Sequence, residues 1–139
     1  MTARGDRPSR RDRFPDMSWA RAWFYRCCQR LCRVFFVLVY RWRVLHRDRV
    51  PRSGPLLLVS NHQSHFDPPA IGSPLGRSTT FLARDTLFRV GPFRWLIKAL
   101  GAVPIKRDES DTAAMKRTIE LLRRGHAVLA FPEGTRTPD

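Results

Sequence analysis

The residues best suited to chemistry lie in the segment NHQSHFDPP, residues 61–69, which follows the apolar run LLLV. His62 and Asp67 are five residues apart, a spacing at which two side chains of a continuous helix point about 140° apart. The two side chains can therefore meet only across a turn. Pro68 favours such a turn, because a residue that precedes proline is disfavoured in the helical conformation, whereas a helix can begin just after it.

A carboxylate that binds one imidazole nitrogen leaves the other nitrogen free to take a proton from a hydroxyl. His62 and Asp67 are thus a candidate general base and its orienting partner. Other interpretations stay open on spacing alone. Asp67 is also a good helix N-cap, with His62 as an ordinary loop residue, and His65 is a competing base.

A second polar segment, FPEGTR at residues 131–136, follows the apolar run AVLA. Gly134 permits backbone amides to turn toward a ligand. Arg136 offers a planar fork of donors that suits a phosphate. The segment is therefore a candidate anion site, and a tight turn with a solvated Glu133 explains the same residues equally well.

Between these segments, short apolar runs alternate with helical patterns, which predicts an α/β fold with a mixed, mostly parallel sheet and crossover helices. The predicted strands are 56–60, 79–83, 102–105 and 126–131, and the predicted helices are 68–72, 87–100 with a break at Gly91-Pro92, and 110–124. Sites in such sheets gather beyond the carboxyl ends of the strands. Both polar segments follow predicted strands, so we expect them at one end of the sheet.

Three regions are expected along the chain: a disordered basic leader at 1–16, an amphipathic helical segment at 17–52, and a catalytic domain at 53–139. The predicted polar side of the helix has Arg26, Gln29, Arg30 and Arg33, and the predicted apolar side has Phe24, Cys27, Cys28, Leu31, Phe35 and Leu38. The longest uncharged run, 34–40, is far shorter than the about 20 residues that span a bilayer. We expect the helix to lie in a membrane interface. Its apolar side can instead pack on the domain, and both arrangements can hold together.

The net charge of +14 is concentrated in residues 17–52, where nine arginines face one aspartate. Such a patch attracts polyanions, either lipid headgroups or nucleic acid. We expect membrane lipid and no nucleic acid, because no zinc-finger or RNA-recognition signature accompanies the charge. Three cysteines within one helix provide neither a disulfide framework nor a metal site with partners at suitable spacing.

Three segments together resemble the conserved blocks of the glycerol-3-phosphate and 1-acylglycerol-3-phosphate acyltransferase superfamily. NHQSHFD and FPEGTR, about 70 residues apart, are similar to the first and third blocks, and GAVPIKR at 101–107 is similar to the second. The resemblance covers residues 56–138. It implies that His62 deprotonates the acceptor hydroxyl, which attacks an acyl thioester, and that Asp67 orients His62.

The resemblance also implies where the substrates bind. The implied substrate-binding residues are Arg107, Glu133, Gly134, Thr135 and Arg136, with Arg84 where many relatives have lysine. The implied reaction moves a fatty acyl group from acyl-CoA or acyl carrier protein to 1-acylglycerol 3-phosphate, giving phosphatidic acid. It takes place at the cytoplasmic face of a membrane and needs no metal or cofactor.

Members of this superfamily continue through a fourth block, whereas the sequence ends three residues after Arg136. We therefore expect an incomplete domain. The alternative to an active enzyme is an inactive fragment that binds anionic membrane through its basic N-terminal helix.

Overall fold

The computed structural model describes residues 9–64, 66–89, 91–105 and 111–132. They form an α/β fold around a four-stranded sheet. The strands are β1 (Leu56–Val59), β2 (Thr79–Arg84), β3 (Ala102–Ile105) and β4 (Ala127–Ala130). The helices are α1 (Arg10–Arg13), α2 (Trp19–Tyr40), α3 (Asp67–Gly72), α4 (Gly91–Ala99) and α5 (Asp111–Arg123), with short 3-10 turns at Arg47–Arg49 and Asp85–Phe88.

The strand order is β1-β4-β2-β3, and every described pair is parallel. The predicted α/β class is confirmed, and the described sheet is wholly parallel rather than mixed. Strand β4 lies between two neighbours, and its residues Ala127, Val128 and Leu129 are almost fully buried. This burial explains the unbroken apolar run AVLA, because an inner strand of a parallel sheet is covered on both faces. The four predicted strands and the helices predicted at 68–72 and 110–124 are confirmed within two residues at each end. The helix predicted at 87–100 begins only at Gly91, because the chain before it forms the 3-10 turn Asp85–Phe88.

Helix α2 is joined to the domain by polar contacts. The Tyr25 hydroxyl accepts a hydrogen bond from the Thr79 amide at 2.9 Å. The Gln29 side chain is buried and donates to the carbonyl oxygens of Gly72 and Arg77, both at 2.9 Å. The prediction that Gln29 belongs to the outward polar side of the helix is therefore wrong. The Gln29 amide can face inward because the carbonyls of Gly72 and Arg77 accept its two protons. Buried carbonyls without a hydrogen-bond partner would be unfavourable.

The predicted apolar side of α2 faces away from the domain over the second half of the helix. Leu31 and Leu38 are 70% and 74% exposed. In the second half of α2 this side therefore packs on the domain only in part, because Phe35 contacts Phe66 whereas Leu31 and Leu38 are exposed. Within the described ranges, no helix combines the length and the apolarity needed to cross a bilayer.

Helix α2 ends at Tyr40, well before the end of the helical segment predicted at 17–52. Arg41 adopts a left-handed conformation with φ of 49°, and the Trp42 amide donates to the carbonyl of Phe36 at 3.2 Å. A residue in the left-handed conformation just past the last turn is a common end of a helix.

Residues 9–16 are ordered, so the prediction of a disordered leader over 1–16 is wrong for them; residues 1–8 lie outside the described part. Phe14 is 2% exposed, and its ring lies edge-on to Tyr25 with centroids 6.0 Å apart. The Ser78 amide donates to the carbonyl of Arg13 at 2.9 Å. One aromatic side chain in a polar stretch anchors the segment without any periodic pattern.

Gly101, in the turn before β3, is required by a close approach to β2. Its φ is 89°, and a Cβ atom placed on it would lie 2.7 Å from the carbonyl oxygen of Thr79. A contact of that length with backbone cannot be relieved by a side-chain rotation. Gly125, before β4, has a similar φ of 82°, but no atom lies within 4 Å of its Cβ position.

These two glycines form a matched pair for a stability test. Gly125→Ala is expected to cost about 1 kcal/mol of unfolding free energy, from the left-handed conformation alone. Gly101→Ala is expected to cost about 1–3 kcal/mol more, because the backbone around it must move. Urea unfolding followed by tryptophan fluorescence measures both values, and equal losses would contradict the close approach.

Candidate functional site

The turn after β1 is folded around the carboxylate of Asp67. One carboxylate oxygen, Oδ2, accepts hydrogen bonds from the backbone amides of Gln63 and Ser64, each at 2.8 Å. The same oxygen lies 3.1 Å from Nδ1 of His62. Three donors from three consecutive residues therefore converge on one atom. The Asp67 amide donates back to the carbonyl of Ser64 at 3.1 Å, which closes the turn.

The contact fixes which imidazole nitrogen is available. An ionised carboxylate can only accept, so the proton of the bond is placed on Nδ1 of His62. The lone pair is then on Nε2, at the opposite edge of the ring. The predicted meeting of His62 and Asp67 across a turn is confirmed, and their side chains are 22% and 24% exposed. His65, the competing base, lies outside the described residues.

Asp67 does not act as the N-cap of α3. The N-cap position is held by Phe66, which makes no capping hydrogen bond with its side chain. The carboxylate of Asp67 instead points back to the residues that precede it. The helix begins at Asp67, before Pro68, and the prolines occupy its first turn, where the missing amide protons are not needed.

The surroundings of Asp67 favour its charged form. Burial acts to raise the pKa of this carboxyl group, but the amides of Ser64 and Gln63 and the contact with His62 outweigh it. The pKa therefore lies below its usual value. An ionised Asp67 is the state that can hold the imidazole in the orientation described above.

Phe131 is the first residue of the second polar segment, and its ring stacks on His62. The ring centroids are 4.3 Å apart and the planes are inclined by 27°. The two segments identified in the sequence therefore meet at one end of the sheet. The sequence alone assigns Phe131 no role. Its contact with His62 depends on the order of the strands, which the sequence does not show.

The other candidate residues are placed unequally. Arg84 ends β2 at the carboxyl edge of the sheet and is exposed. Arg107 and the run Glu133, Gly134, Thr135 and Arg136 lie outside the described residues. The last described residues before them are Ile105, which ends β3, and Pro132, which comes shortly after β4. Both lie toward the same edge of the sheet as Arg84.

Aromatic side chains connect the end of α2 to this turn. Phe66 is exposed, and its ring centroid lies 6.5 Å from Phe35 and 6.4 Å from Phe36. Phe36 in turn contacts Trp42 at 5.9 Å. The second half of α2 therefore lies beside the residue that precedes Asp67.

The described residues contain no group of three or more histidine, cysteine or acidic side chains arranged to hold a metal ion. Cys27, Cys28 and Cys32 are free thiols. Burial raises the pKa of Cys28 and Cys32, so both favour the protonated and less reactive form.

Comparison with known proteins identifies similar sequences. The sequence model of the family described as Acyltransferase matches residues 41–139. The chain is 37% identical, over 103 residues, to the chloroplastic 1-acyl-sn-glycerol-3-phosphate acyltransferase LPAT1 of Arabidopsis thaliana, which covers 72% of this chain and 29% of that protein. It is also 37% identical, over 111 residues, to the lyso-ornithine lipid O-acyltransferase of Pseudomonas aeruginosa, covering 77% and 40%.

A solved structure is similar as well. The 1-acyl-sn-glycerophosphate acyltransferase PlsC of Thermotoga maritima superposes with a TM-score of 0.68 at 28% identity, covering 86% of this chain and 48% of that one. The chain thus spans less than half the length of these three proteins.

The depressed pKa of Asp67 predicts how the turn responds to acid. A carboxyl group whose pKa is lowered on folding stabilises the folded state above its unfolded pKa, about 3.9, and this contribution is lost as the pH falls through the folded value. The stability difference between the wild type and Asp67→Asn is therefore expected to be constant above about pH 5 and to shrink below about pH 4.

Urea unfolding at pH 6, 5, 4 and 3 measures this difference. Glu120→Gln is the control, because Glu120 is exposed and its pair with Arg124 is a surface pair of little net stability. A wild-type advantage over Asp67→Asn that persists undiminished at pH 3 would contradict the ionised turn.

Proposed function

Because the chain belongs to the Acyltransferase family, we propose that it moves a fatty acyl group from a thioester to the free hydroxyl of a lysophospholipid, with His62 as general base and Asp67 as its orienting partner. The observation that carries the proposal is the 3.1 Å contact between Nδ1 of His62 and Asp67. That contact leaves Nε2 available to take the proton of an acceptor hydroxyl.

The proposed reaction follows from this arrangement. Nε2 of His62 removes the hydroxyl proton as the oxygen attacks the thioester carbonyl carbon. The resulting tetrahedral oxyanion collapses, the bond from carbon to sulfur breaks, and the thiol leaves with the proton that His62 returns. The acyl group of a thioester is already activated, so the proposed reaction uses no covalent enzyme intermediate, metal or cofactor.

We propose 1-acylglycerol 3-phosphate as the acceptor and acyl-CoA or acyl carrier protein as the donor. The names of the Arabidopsis and Thermotoga relatives support this acceptor. A phosphate monoester carries up to two negative charges and suits fixed arginines and backbone amides. The proposed substrate-binding residues are Arg84, Arg107, Glu133, Gly134, Thr135 and Arg136, of which the arginines would bind the phosphate.

The position of α2 supports a membrane-bound site. Its first half contacts Thr79, the first residue of β2, and its second half contacts Phe66 at the opposite end of the sheet. The exposed apolar side chains of the second half are Leu31, Val34, Phe35, Val37, Leu38, Val39 and Tyr40. An apolar surface of this size on a single helix suits the boundary between headgroups and acyl chains.

We propose that α2 lies in the cytoplasmic leaflet with its apolar half inserted. The arginines of residues 17–52 suit that leaflet, because its surface is negatively charged. A lysophospholipid held by its acyl chain in the same leaflet then needs little movement to bring its headgroup to His62. Phe66 and Phe36 connect the inserted surface to the catalytic turn.

The chemical proposal is tested by two substitutions at the pair. His62→Ala is expected to lower kcat by about 100- to 10,000-fold, the usual contribution of a general base. Asp67→Asn is expected to lower kcat by a comparable factor, since an amide can favour the wrong imidazole tautomer. The assay measures thiol release and phosphatidic acid formation from acyl-CoA and 1-acylglycerol 3-phosphate.

Lys116→Ala, on the exposed face of α5, is the activity control. Lyso-ornithine lipid, the acceptor named for the Pseudomonas relative, serves as an alternative acceptor. Full turnover in both site variants would remove the proposed mechanism. Vesicle binding by a wild type that gives no product with either acceptor would favour the alternative of an inactive membrane-binding fragment.

The membrane proposal is tested by placing a charge on the apolar half of α2. Leu38→Glu is expected to weaken binding to vesicles of anionic phospholipid by at least about 10-fold, because burial of one leucine contributes about 1.5–3 kcal/mol. Met115→Glu makes a similar change at a 64% exposed position of α5 and is expected to leave binding unchanged. Vesicle sedimentation measures both, and equal effects of the two substitutions would contradict insertion of α2.

A further inference from the structure

The ring of Phe131 covers one face of His62. The two rings are close to parallel, with centroids 4.3 Å apart. Such a distance and angle are those of an offset stack in direct contact. Both residues are partly buried, so the covered face of the imidazole is shielded from water.

The contact follows from the pairing of two strands. Strands β1 and β4 are parallel neighbours, with Val59 beside Ala130. The pairing continues one step further, because the Ser60 amide donates to the carbonyl of Ala130 at 3.2 Å. The chain therefore leaves both strands at the same level, and the residues after them, His62 and Phe131, are adjacent.

Two contacts together determine the orientation of the imidazole. The hydrogen bond to Asp67 fixes the Nδ1 edge but allows the ring to rock about that bond. The flat face of Phe131 restricts this rocking because it sets the plane of the ring. Nε2 is at the remaining edge, and among the described residues no hydrogen-bond partner approaches it.

We infer that Phe131 is a positioning residue for acyl transfer, which holds the plane of the His62 ring so that Nε2 points to the acceptor hydroxyl. The inference rests on the proposed function and adds a specific requirement to it, namely a flat aromatic side chain at this position. A rate that depends on in-line proton transfer falls steeply when the base is misoriented. The aromatic face also favours the imidazolium that forms as His62 takes the proton.

An aliphatic side chain at position 131 fills most of the space but offers no flat face. Phe131→Leu therefore separates filling of the space from orientation of the imidazole, because leucine retains apolar contact but removes the stack. Phe131→Tyr retains the ring and serves as the conservative variant. Phe93→Leu, at an exposed aromatic residue of α4, is the matched control for the same chemical change.

The first measurement needs no substrate and uses the 139-residue chain. In NMR spectra of protein labelled at histidine, the carbon-bound ring protons of His62 are expected to be shifted upfield by the ring current of Phe131, and His62→Gln assigns them. Phe131→Leu is expected to remove this shift and to increase the mobility of the imidazole in relaxation measurements on its ring carbons, while the hydrogen bond to Asp67 keeps the proton on Nδ1. The signals of His126, which is buried at the other end of the sheet, report whether the variant remains folded.

The second measurement is kinetic. Phe131→Leu is expected to lower kcat by about 10- to 100-fold while KM for 1-acylglycerol 3-phosphate changes by less than about twofold. Phe131→Tyr and Phe93→Leu are expected to keep kcat within about threefold of the wild type. A loss caused by general destabilisation would instead follow the stability of the variants and would not be rescued by Tyr.

The two measurements keep the inference and the proposed function apart. A wild type that gives no product counts against the proposed function, and the mobility of the His62 ring in Phe131→Leu still decides whether Phe131 orients the ring. An unshifted His62 in the wild type, an imidazole as rigid in Phe131→Leu as in the wild type, or a wild-type kcat in that variant would overturn the inference.

Discussion

The convergence of three donors on one carboxylate oxygen of Asp67 is the interaction on which the site depends. The amides of Gln63 and Ser64 and the imidazole of His62 can all reach that oxygen only if the chain turns back between His62 and Asp67. The carboxylate therefore shapes the turn and orients the base with the same atom. Its pKa is lowered by the contacts that it organises, so the charge that holds the turn is maintained in neutral solution.

The rest of the domain brings other groups to this turn. The parallel pairing of β1 with β4 places Phe131 against the imidazole, and the end of β2 places Arg84 at the same edge. Helix α2 is held along the domain by Tyr25 and Gln29, whose polar contacts give it a fixed position despite its apolar outer surface. A helix with an exposed apolar second half is thereby attached to the turn that holds His62.

The sequence predicted the strands well because each is a short apolar run between turn residues, and such patterns depend only on neighbouring residues. It made the contact of His62 with Asp67 a candidate because Pro68 favours a turn, although spacing alone left other interpretations open. It could not predict the order β1-β4-β2-β3, so the contact of Phe131 with His62 was missed. The prediction for Gln29 was wrong because a polar side chain is expected to face water. Its burial depends on hydrogen bonds to the carbonyls of Gly72 and Arg77, which the sequence does not show.

Segments near the N-terminus show the same limitation. The ordering of residues 9–16 depends on the packing of Phe14 beside Tyr25 and on the hydrogen bond from the Ser78 amide, just before β2, to the carbonyl of Arg13. The second contact joins residues far apart in the sequence. The early end of α2 depends on the left-handed conformation of Arg41, which no residue type in YRWRV, residues 40–44, predicts. Local sequence patterns predict helices and strands. The ordering of residues 9–16 depends instead on contacts between residues distant in the sequence.

The proposed mechanism requires the free edge of the His62 imidazole to face the acceptor hydroxyl. A crystal structure of the chain with bound 1-acylglycerol 3-phosphate would show this arrangement. We expect the free hydroxyl oxygen within about 2.6–3.2 Å of Nε2 of His62, with Nδ1 still bonded to Asp67. A lysolipid hydroxyl bound at another residue, or an imidazole turned away from Asp67 in the complex, would rule the mechanism out.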